Sequence, residues 1–167
     1  LCLDYQANVN NHIITANEGN AIALASGYHL ATNEIPLVYM QNSGLGNAIN
    51  PLLSLCDVDV YSVPLVLMIG WRGEPGFNDE PQHIKQGKIQ LELLETLNLP
   101  YEIISKNDKE YAEKIAKVIK ISKSEKRPVA LLIKKKTFSK YKFENNDAKS
   151  NLMLREEALN IILKKLN

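Results

Sequence analysis

Hydrophobic and polar positions along the chain follow two alternating patterns. Short runs rich in leucine, isoleucine and valine predict strands, and these runs lie at 12–15, 36–41, 64–69, 101–104 and 128–133. Segments with apolar residues three and four positions apart predict helices, and these lie at 18–31, 47–56, 84–97, 109–121 and 152–166. The alternation of strand and helix predicts an α/β fold, with a mainly parallel sheet and helices on both faces.

Two of these elements carry further local signals. Asn17 stands directly before the helix at 18–31, where an asparagine side chain can accept a hydrogen bond from the first turn. The strand at 64–69 is apolar at nearly every position. A strand of this kind belongs in the middle of a parallel sheet, because helices then cover both of its faces.

The pattern changes after residue 133. Residues 1–133 are expected to form one domain, whereas 134–151 are polar and basic and predict an exposed linker. Residues 152–167 predict a final helix with one apolar face. The first residue is Leu, so we expect either a start inside a longer protein or a true start further upstream.

Composition excludes several classes of protein. The 167 residues are 45% hydrophobic and 23% charged, with a net charge of +1, which is typical of a globular protein that binds neither nucleic acid nor anionic membrane. The longest apolar run falls far short of the roughly 20 residues that span a bilayer. Cys2 and Cys56 lie in no zinc-type spacing. We therefore expect a reduced, cytoplasmic protein without a metal site of its own, although a disulfide between the two cysteines stays open.

Three polar, glycine-containing segments each follow a predicted strand, at 16–20, 42–47 and 70–76. Ligands of parallel α/β sheets bind at the carboxyl ends of the strands, so we expect these segments to meet at one edge of the sheet. Glu18 opens a helix, where a negative charge is favourable without any function. A carboxylate held rigidly beside glycine is also a candidate for acid–base chemistry.

The other candidate residues have equally simple structural explanations. The glycines at 42–47 form neither a dinucleotide fingerprint nor a phosphate-binding loop, so a tight turn explains them. The segment 70–87 combines Trp71, Arg72, His83 and other polar residues with glycine and proline. A long loop of this composition is often functional, yet a lone histidine such as His83 is more often structural. The sequence contains no nucleophile elbow.

Several segments together resemble a known family. They are Asn17-Glu18-Gly19-Asn20-Ala21, Gly27-Tyr28-His29-Leu30-Ala31-Thr32, Val38-Tyr39-Met40-Gln41-Asn42-Ser43-Gly44-Leu45-Gly46-Asn47, Ile69-Gly70-Trp71-Arg72-Gly73 and Asp79-Glu80-Pro81-Gln82-His83. In this order they resemble the pyrimidine-binding domain of thiamine-diphosphate-dependent enzymes, in the branch of phosphonopyruvate and sulfopyruvate decarboxylases. The resemblance covers about residues 10–133.

The resemblance implies thiamine diphosphate as the cofactor and assigns roles to particular residues. Glu18 corresponds to the glutamate that hydrogen-bonds a ring nitrogen of the cofactor's aminopyrimidine and so activates it, and His83 is a second catalytic candidate. The expected cofactor contacts are Glu18, Asn42, Ser43, Gly44, Leu45, Gly46 and Trp71. The expected substrate contacts are Asn47, Arg72, Gln82 and Lys85.

The resemblance also implies what lies elsewhere. The family's Gly-Asp-Gly motif for Mg²⁺ and diphosphate does not occur in these residues. We expect it in a diphosphate-binding domain of the same or a neighbouring chain, within a homo-oligomer. The family's first strand precedes the segment seen here, so we expect the N-terminal strand to be missing. We therefore expect this chain alone to be inactive.

Three functions remain open at this stage. The first is decarboxylation of 3-phosphonopyruvate, a small 2-keto acid, to phosphonoacetaldehyde and carbon dioxide. The second is the α subunit of sulfopyruvate decarboxylase, and the third is a non-catalytic association domain. The segment at 154–159 resembles the helix that leads into the diphosphate-binding domain of single-chain enzymes, which favours the first.

Overall fold

The structure, a computed structural model, describes residues 12–139. Within this range four parallel strands form one sheet in the order β1-β2-β4-β3. The strands are β1 (Leu37–Gln41), β2 (Leu65–Gly70), β3 (Tyr101–Ile104) and β4 (Pro128–Ile133). The apolar strand predicted at 64–69 is β2, and it lies between β1 and β4, as its two buried faces require.

Helices connect the strands. They are α1 (Glu18–Thr32), α2 (Leu45–Pro51), α3 (Pro81–Lys88), α4 (Gln90–Thr96) and α5 (Tyr111–Glu125). A 3₁₀ turn at Asn42–Gly44, called the 42–44 turn below, precedes α2, and a π-helical turn at Leu52–Cys56 follows it. The segment between β2 and α3 is called the 71–80 loop.

Each face of the sheet has its own apolar core. On one face, β1, β2 and β4 pack against α1, α2 and α4, and the buried side chains there include Ile22, Leu45, Leu67, Leu94 and Leu132. On the other face, α5 packs its Val118 among Val66, Val129 and Leu131. The predicted α/β fold, with a parallel sheet and helices on both faces, is confirmed.

The strand predicted at 12–15 is wrong. These residues have no regular secondary structure, and the side chains of Ile13 and Ile14 are 73% and 76% exposed. A strand needs hydrogen bonds from a neighbouring strand, and among the described strands none pairs with this segment. Apolar β-branched residues favour an extended backbone, but composition alone does not decide whether a neighbouring strand pairs with them.

Two predicted helices also differ from the structure. The helix predicted at 84–97 is two helices, α3 and α4, separated at Ile89, whose backbone leaves the helical region at φ −90° and ψ 1°. The helix predicted at 47–56 begins earlier, at Leu45, and widens to a π-helical turn after Pro51. Proline has no N–H to donate to the carbonyl four residues earlier, so the regular ladder is interrupted there.

The linker predicted to be exposed is partly buried at its first two residues. Lys134 and Lys135 are both partly buried and both contact Glu74 of the 71–80 loop. Residues 140–151 of the predicted linker and the helix predicted at 152–167 lie outside the described residues. Among residues 12–139, no helix has the length and apolar character needed to cross a bilayer.

Candidate functional site

Asn42 ties together the segments that follow β1 and β2. Its side-chain Nδ2 donates to the carbonyl of Arg72 at 2.9 Å, and its Oδ1 accepts from the backbone N–H of Arg72, also at 2.9 Å. Asn42 is only 3% exposed. The amide therefore acts as a bridge between two strand ends, which are held at the same edge of the sheet as the sequence predicts.

Glu18 joins this edge from α1. Asn17 caps the helix by accepting a hydrogen bond from the backbone N–H of Asn20 at 2.9 Å, so Glu18 is the first helical residue. Its side chain crosses to α2, where Asn47 Nδ2 donates to Glu18 Oε2 at 2.9 Å. The three predicted segments are thus brought together, with Glu18 against the segment 42–47.

Two glycines allow this close approach. A Cβ atom at Gly44 would lie 2.2 Å from Glu18 Oε1, so the carboxylate occupies the space that any other residue would fill. A Cβ atom at Gly19 would lie 2.9 Å from the carbonyl oxygen of Asn47. Gly19 therefore lets α1 approach the backbone of α2, and Gly44 lets the Glu18 side chain approach the turn before α2.

The surroundings of Glu18 keep its carboxylate ionised. The hydrogen bond from Asn47 lowers the pKa of Glu18 most, its own backbone N–H lowers it further, and partial burial raises it. Because the lowering causes dominate, Glu18 is an anion at neutral pH. It is half-buried rather than fully shielded within this chain, and an anion of this kind is ready to accept a hydrogen bond from a ligand N–H.

A second polar network surrounds Asp79 in the 71–80 loop. Arg72 Nε donates to both carboxylate oxygens, at 3.1 and 3.0 Å, and Arg72 Nη2 donates to Oδ1 at 2.6 Å. The backbone N–H groups of Gly73 and Glu80 donate at 2.8 and 2.9 Å, and His83 Nδ1 lies 3.3 Å from Oδ1. Asp79 is therefore held by both ends of its own loop.

This network changes how two predicted site residues can act. The Arg72 guanidinium, followed by the Gly73 backbone N–H, holds the pKa of Asp79 far below its usual range, and the Asp79 carboxylate in turn raises the pKa of Arg72. The Asp79 carboxylate thus balances the charge of Arg72, whose side chain is 36% exposed. His83, whose side chain is 13% exposed, directs Nδ1 at the same carboxylate.

Two predicted cofactor contacts place their side chains in the interior. Trp71 is 8% exposed and belongs to the main core, and its Nε1 donates to the carbonyl of Gly87 at 3.0 Å. Leu45 is fully buried in the same core. Both side chains therefore lie in the core of this chain, beneath the polar segments.

The remaining predicted contacts lie closer to the surface. Ser43 is partly buried and its Oγ donates to Gln41 Oε1 at 3.4 Å. Gly46 is exposed, and a Cβ atom there would meet no other atom within 4 Å. Gln82 and Lys85 are both exposed on α3, which packs against the 42–44 turn.

Two acidic residues hold the 71–80 loop, and the sequence alone assigned no role to either. Asp79 is one, and Glu74 is the other, with its carboxylate 3% exposed and accepting from the backbone N–H of Lys135 at 3.0 Å and from Lys134 Nζ at 2.8 Å. The sequence feature that could have indicated this role is the position of both acidic residues in a glycine-containing loop close to basic residues. Within residues 12–139, no group of three metal-ligating side chains is assembled.

Comparison with known proteins places this site in a family. Residues 2–93 match the family described as thiamine pyrophosphate enzyme, N-terminal TPP binding domain. Over 93 residues the chain is 39% identical to the phosphonopyruvate decarboxylase of Streptomyces viridochromogenes and 36% identical to that of Streptomyces hygroscopicus. These matches cover 56% of this chain but only 23% and 22% of the two relatives.

A longer match is found with a separate subunit. The chain is 35% identical over 122 residues to the sulfopyruvate decarboxylase subunit alpha of Methanococcus maripaludis, which covers 73% of this chain and 70% of that subunit. The residues that match the family, 2–93, include Glu18, the 42–44 turn and the 71–80 loop. The chain therefore belongs to the thiamine pyrophosphate enzymes, as a member of their N-terminal TPP binding domain family.

Proposed function

We propose that this chain is the pyrimidine-binding part of a thiamine-diphosphate-dependent 2-keto acid decarboxylase. The proposed reaction converts 3-phosphonopyruvate to phosphonoacetaldehyde and carbon dioxide. The observation that carries the proposal is the Glu18 carboxylate, which Asn47 holds at 2.9 Å over Gly44 beside the end of β1. The identity to two phosphonopyruvate decarboxylases supports the choice of substrate.

The residues present fit the aminopyrimidine part of the cofactor. Glu18 is an ionised acceptor on a half-buried surface, and Gly44 leaves room above the 42–44 turn for its side chain. Glu18 would hold a proton at a ring nitrogen of the bound cofactor, and the exposed Gly46 and partly buried Ser43 would lie beside the ring. When bound, thiamine diphosphate supplies the electron sink that decarboxylation of a 2-keto acid needs.

The proposed site needs a second domain. Acid–base chemistry of this kind works best where water is excluded, and Glu18 is only half-buried within this chain. We infer that a diphosphate-binding domain, of the same or a neighbouring chain, covers Glu18 and holds Mg²⁺ with the cofactor's diphosphate. A homo-oligomer, in the cytoplasm, is the proposed setting.

The proposed contacts of the substrate lie on α3. Because Asp79 balances the charge of Arg72, we propose Lys85 and Gln82, both exposed, as the groups that meet the substrate's tetrahedral anion. Lys85 supplies a positive charge and Gln82 supplies a hydrogen-bond donor. His83, which is held against Asp79, is proposed to orient the 71–80 loop.

One observation favours a second candidate function. The match to sulfopyruvate decarboxylase subunit alpha is longer, at 122 residues against 93, and covers 70% of that subunit. The alternative is therefore an α subunit that acts on 3-sulfopyruvate together with a separate diphosphate-binding subunit. Both substrates are 2-keto acids with a tetrahedral anionic group, so the same α3 surface serves either.

Turnover by the complete enzyme, supplied with thiamine diphosphate and Mg²⁺, tests both candidates. Carbon dioxide release from 3-phosphonopyruvate and from 3-sulfopyruvate is measured side by side, and the higher kcat/KM identifies the substrate. Replacement Glu18→Gln keeps the size of the side chain and its packing but cannot share a proton. We expect turnover to fall by about 10²–10⁴-fold, with the melting temperature nearly unchanged.

A matched control is Glu34→Gln, since Glu34 is an exposed carboxylate just after the same helix. This variant should retain the turnover of the original protein. If Glu18→Gln also retained full turnover, Glu18 would be only a favourable charge at a helix start, and the proposed function would lose its main support.

A further inference from the structure

We infer that Asn47 is a positioning residue that fixes the Glu18 carboxylate for its reaction, and that it is not a contact of the substrate. The inference rests on the proposed function of Glu18. The contact between the two side chains is independent of that function. The carrying observation is the hydrogen bond from Asn47 Nδ2 to Glu18 Oε2 at 2.9 Å, which joins residues 29 positions apart.

The backbone of Asn47 is held in place by α1. The carbonyl oxygen of Asn47 lies so close to Gly19 that a Cβ atom there would be only 2.9 Å away. Pro51, four residues later, has no N–H to give this carbonyl. The starts of α1 and α2 are thus in direct backbone contact. The backbone of Asn47 therefore has a fixed position, from which its side-chain amide reaches Glu18.

The carboxylate is held by Asn47 and lies over Gly44. Glu18 Oε2 is held by Asn47, while Oε1 lies where a side chain at Gly44 would begin, 2.2 Å from the ideal Cβ position. Rotation of the carboxylate would break the hydrogen bond. A group that transfers a proton must be held within a few tenths of an ångström of its working geometry, and the hydrogen bond from Asn47 supplies that restraint.

The chemistry of an amide suits a positioning role. An asparagine side chain donates a hydrogen bond but does not titrate, so Asn47 orients Glu18 without competing for its proton. An aspartate at the same position would have the same shape, yet it would place a second negative charge beside Glu18 and lose the donor. The comparison of Asn47→Ala with Asn47→Asp therefore separates the hydrogen bond from the packing.

The first measurement does not depend on catalysis. Carboxyl-carbon NMR titration of the 167-residue chain gives the pKa of Glu18 in the original protein and in both variants. We expect the pKa of Glu18 to rise in Asn47→Ala, since its main lowering cause is removed, and to rise further in Asn47→Asp. Asn50→Ala is the matched control, because Asn50 is an exposed asparagine on the same helix whose side chain bonds Ser54 instead.

The second measurement uses the complete enzyme. In Asn47→Ala we expect kcat to fall by about 10–100-fold, with little change in the KM of the 2-keto acid, and the acid limb of the pH profile to move upward with the pKa of Glu18. Asn47→Gln, which retains the carboxamide donor, should recover part of the loss.

Three results would overturn the inference. A raised KM with unchanged kcat in Asn47→Ala would make Asn47 a substrate contact. An unchanged pKa of Glu18 would show that the two side chains do not interact in solution. If the pKa rose as expected but Glu18→Gln kept full turnover, the proposed function would fail, and with it the positioning role, while the contact itself would stand.

Discussion

Asp79 organises the 71–80 loop through a single carboxylate. It accepts hydrogen bonds from the Arg72 guanidinium and from the backbone N–H groups of Gly73 and Glu80, and it lies beside the imidazole of His83. Its side chain is only 4% exposed, so loss of the charge would leave these donors poorly matched. Asp79 is therefore the residue on which the geometry of the loop depends.

Replacement Asp79→Asn is expected to destabilise the protein at neutral pH, with the melting temperature lowered by several degrees. The pKa of Asp79 is lowered on folding, so its stabilising contribution is fully present above the unfolded pKa and is lost as pH falls. The difference in melting temperature between the two proteins should therefore shrink below about pH 4. Thermal melting from pH 7 down to acid pH measures this.

The control for this prediction is Asp59→Asn, since Asp59 is exposed in a turn. Its melting temperature should match that of the original protein at every pH. A constant difference for Asp79→Asn down to strongly acid pH would contradict ionisation of Asp79 as the source of the stabilisation.

At the scale of elements, Gly44 controls how α1 meets the 42–44 turn. Its φ is −84°, so alanine fits the backbone, and the three atoms nearest to the added methyl group all belong to the Glu18 side chain. We expect Gly44→Ala to fold with little loss of stability but to displace Glu18 and lower turnover of the complete enzyme by at least about 10-fold. Crystal structures and turnover check the two effects separately.

Gly27→Ala is the matched substitution, because no atom lies within 4 Å of a Cβ at that position and Gly27 is not among the proposed cofactor contacts. It should leave both turnover and the position of Glu18 unchanged. Equal activity of Gly44→Ala and Gly27→Ala would show that the close approach of Glu18 to the turn is not needed for catalysis.

Gly73 connects the 71–80 loop to α3 in a different way. Its φ is +66°, and a Cβ atom there would lie 1.9 Å from the backbone carbonyl of His83. Since the colliding atom belongs to the backbone of α3, the helix itself would have to move. Gly73→Ala should therefore cost more than the roughly 1–2 kcal/mol that a left-handed backbone alone costs a residue with a side chain.

Gly76→Ala measures the cost in unfolding free energy of a left-handed backbone alone. Gly76 also has a positive φ, of +87°, but no atom lies within 4 Å of its Cβ position. Urea unfolding of both variants should give the larger loss of unfolding free energy for Gly73→Ala. If both lost the same amount, the contact between Gly73 and α3 would contribute nothing to stability.

At the scale of the whole molecule, α1 leaves several apolar side chains exposed. Leu24, Tyr28 and Leu30 are 45%, 49% and 67% exposed, and from Gly19 to Thr32 the helix contains no Asp, Glu, Lys or Arg. A contiguous group of exposed apolar side chains on an uncharged helix surface is typical of an interaction site. We expect sedimentation to show association of this protein at micromolar concentration.

Replacement Leu24→Lys should weaken this association without unfolding the protein, because a charge on α1 would have to be buried in the interface. Ile119→Lys is the control, since Ile119 is similarly exposed, at 42%, on α5. If both substitutions weakened association equally, a general loss of exposed apolar surface, and not α1, would explain it.

The 167-residue chain alone is expected to show no decarboxylase activity with thiamine diphosphate and Mg²⁺. Glu18 is half-exposed in this chain, and the Gly-Asp-Gly motif does not occur in its sequence. Addition of a diphosphate-binding domain from the complete enzyme should restore turnover. Clear turnover of either 2-keto acid by the chain alone would show that the metal and diphosphate are bound by residues we have not assigned.

The success of sequence reasoning depended on whether the signal was local. Asn17 and the apolar spacing after it correctly predicted the start of α1, and strands β3 and β4 have the predicted bounds. The residues at 12–15 have the same composition as a strand but no partner among the described strands. The secondary-structure propensity of the residues predicted an element correctly where neighbours in sequence decide its conformation. It failed at 12–15, where a strand would also need hydrogen bonds from another strand.

The sequence by itself determined the α/β fold, the strand ends where the polar segments lie, and the family. Only the tertiary structure decided how the polar side chains pair. Asn47 contacts Glu18 across 29 positions, and Asn42 bridges to the backbone of Arg72 across 30. Arg72 forms an ion pair with Asp79, a partner that its charge alone did not identify. The periodicity of a chain encodes which face a residue occupies, whereas a hydrogen bond depends on distances of a few tenths of an ångström between segments that only folding brings together.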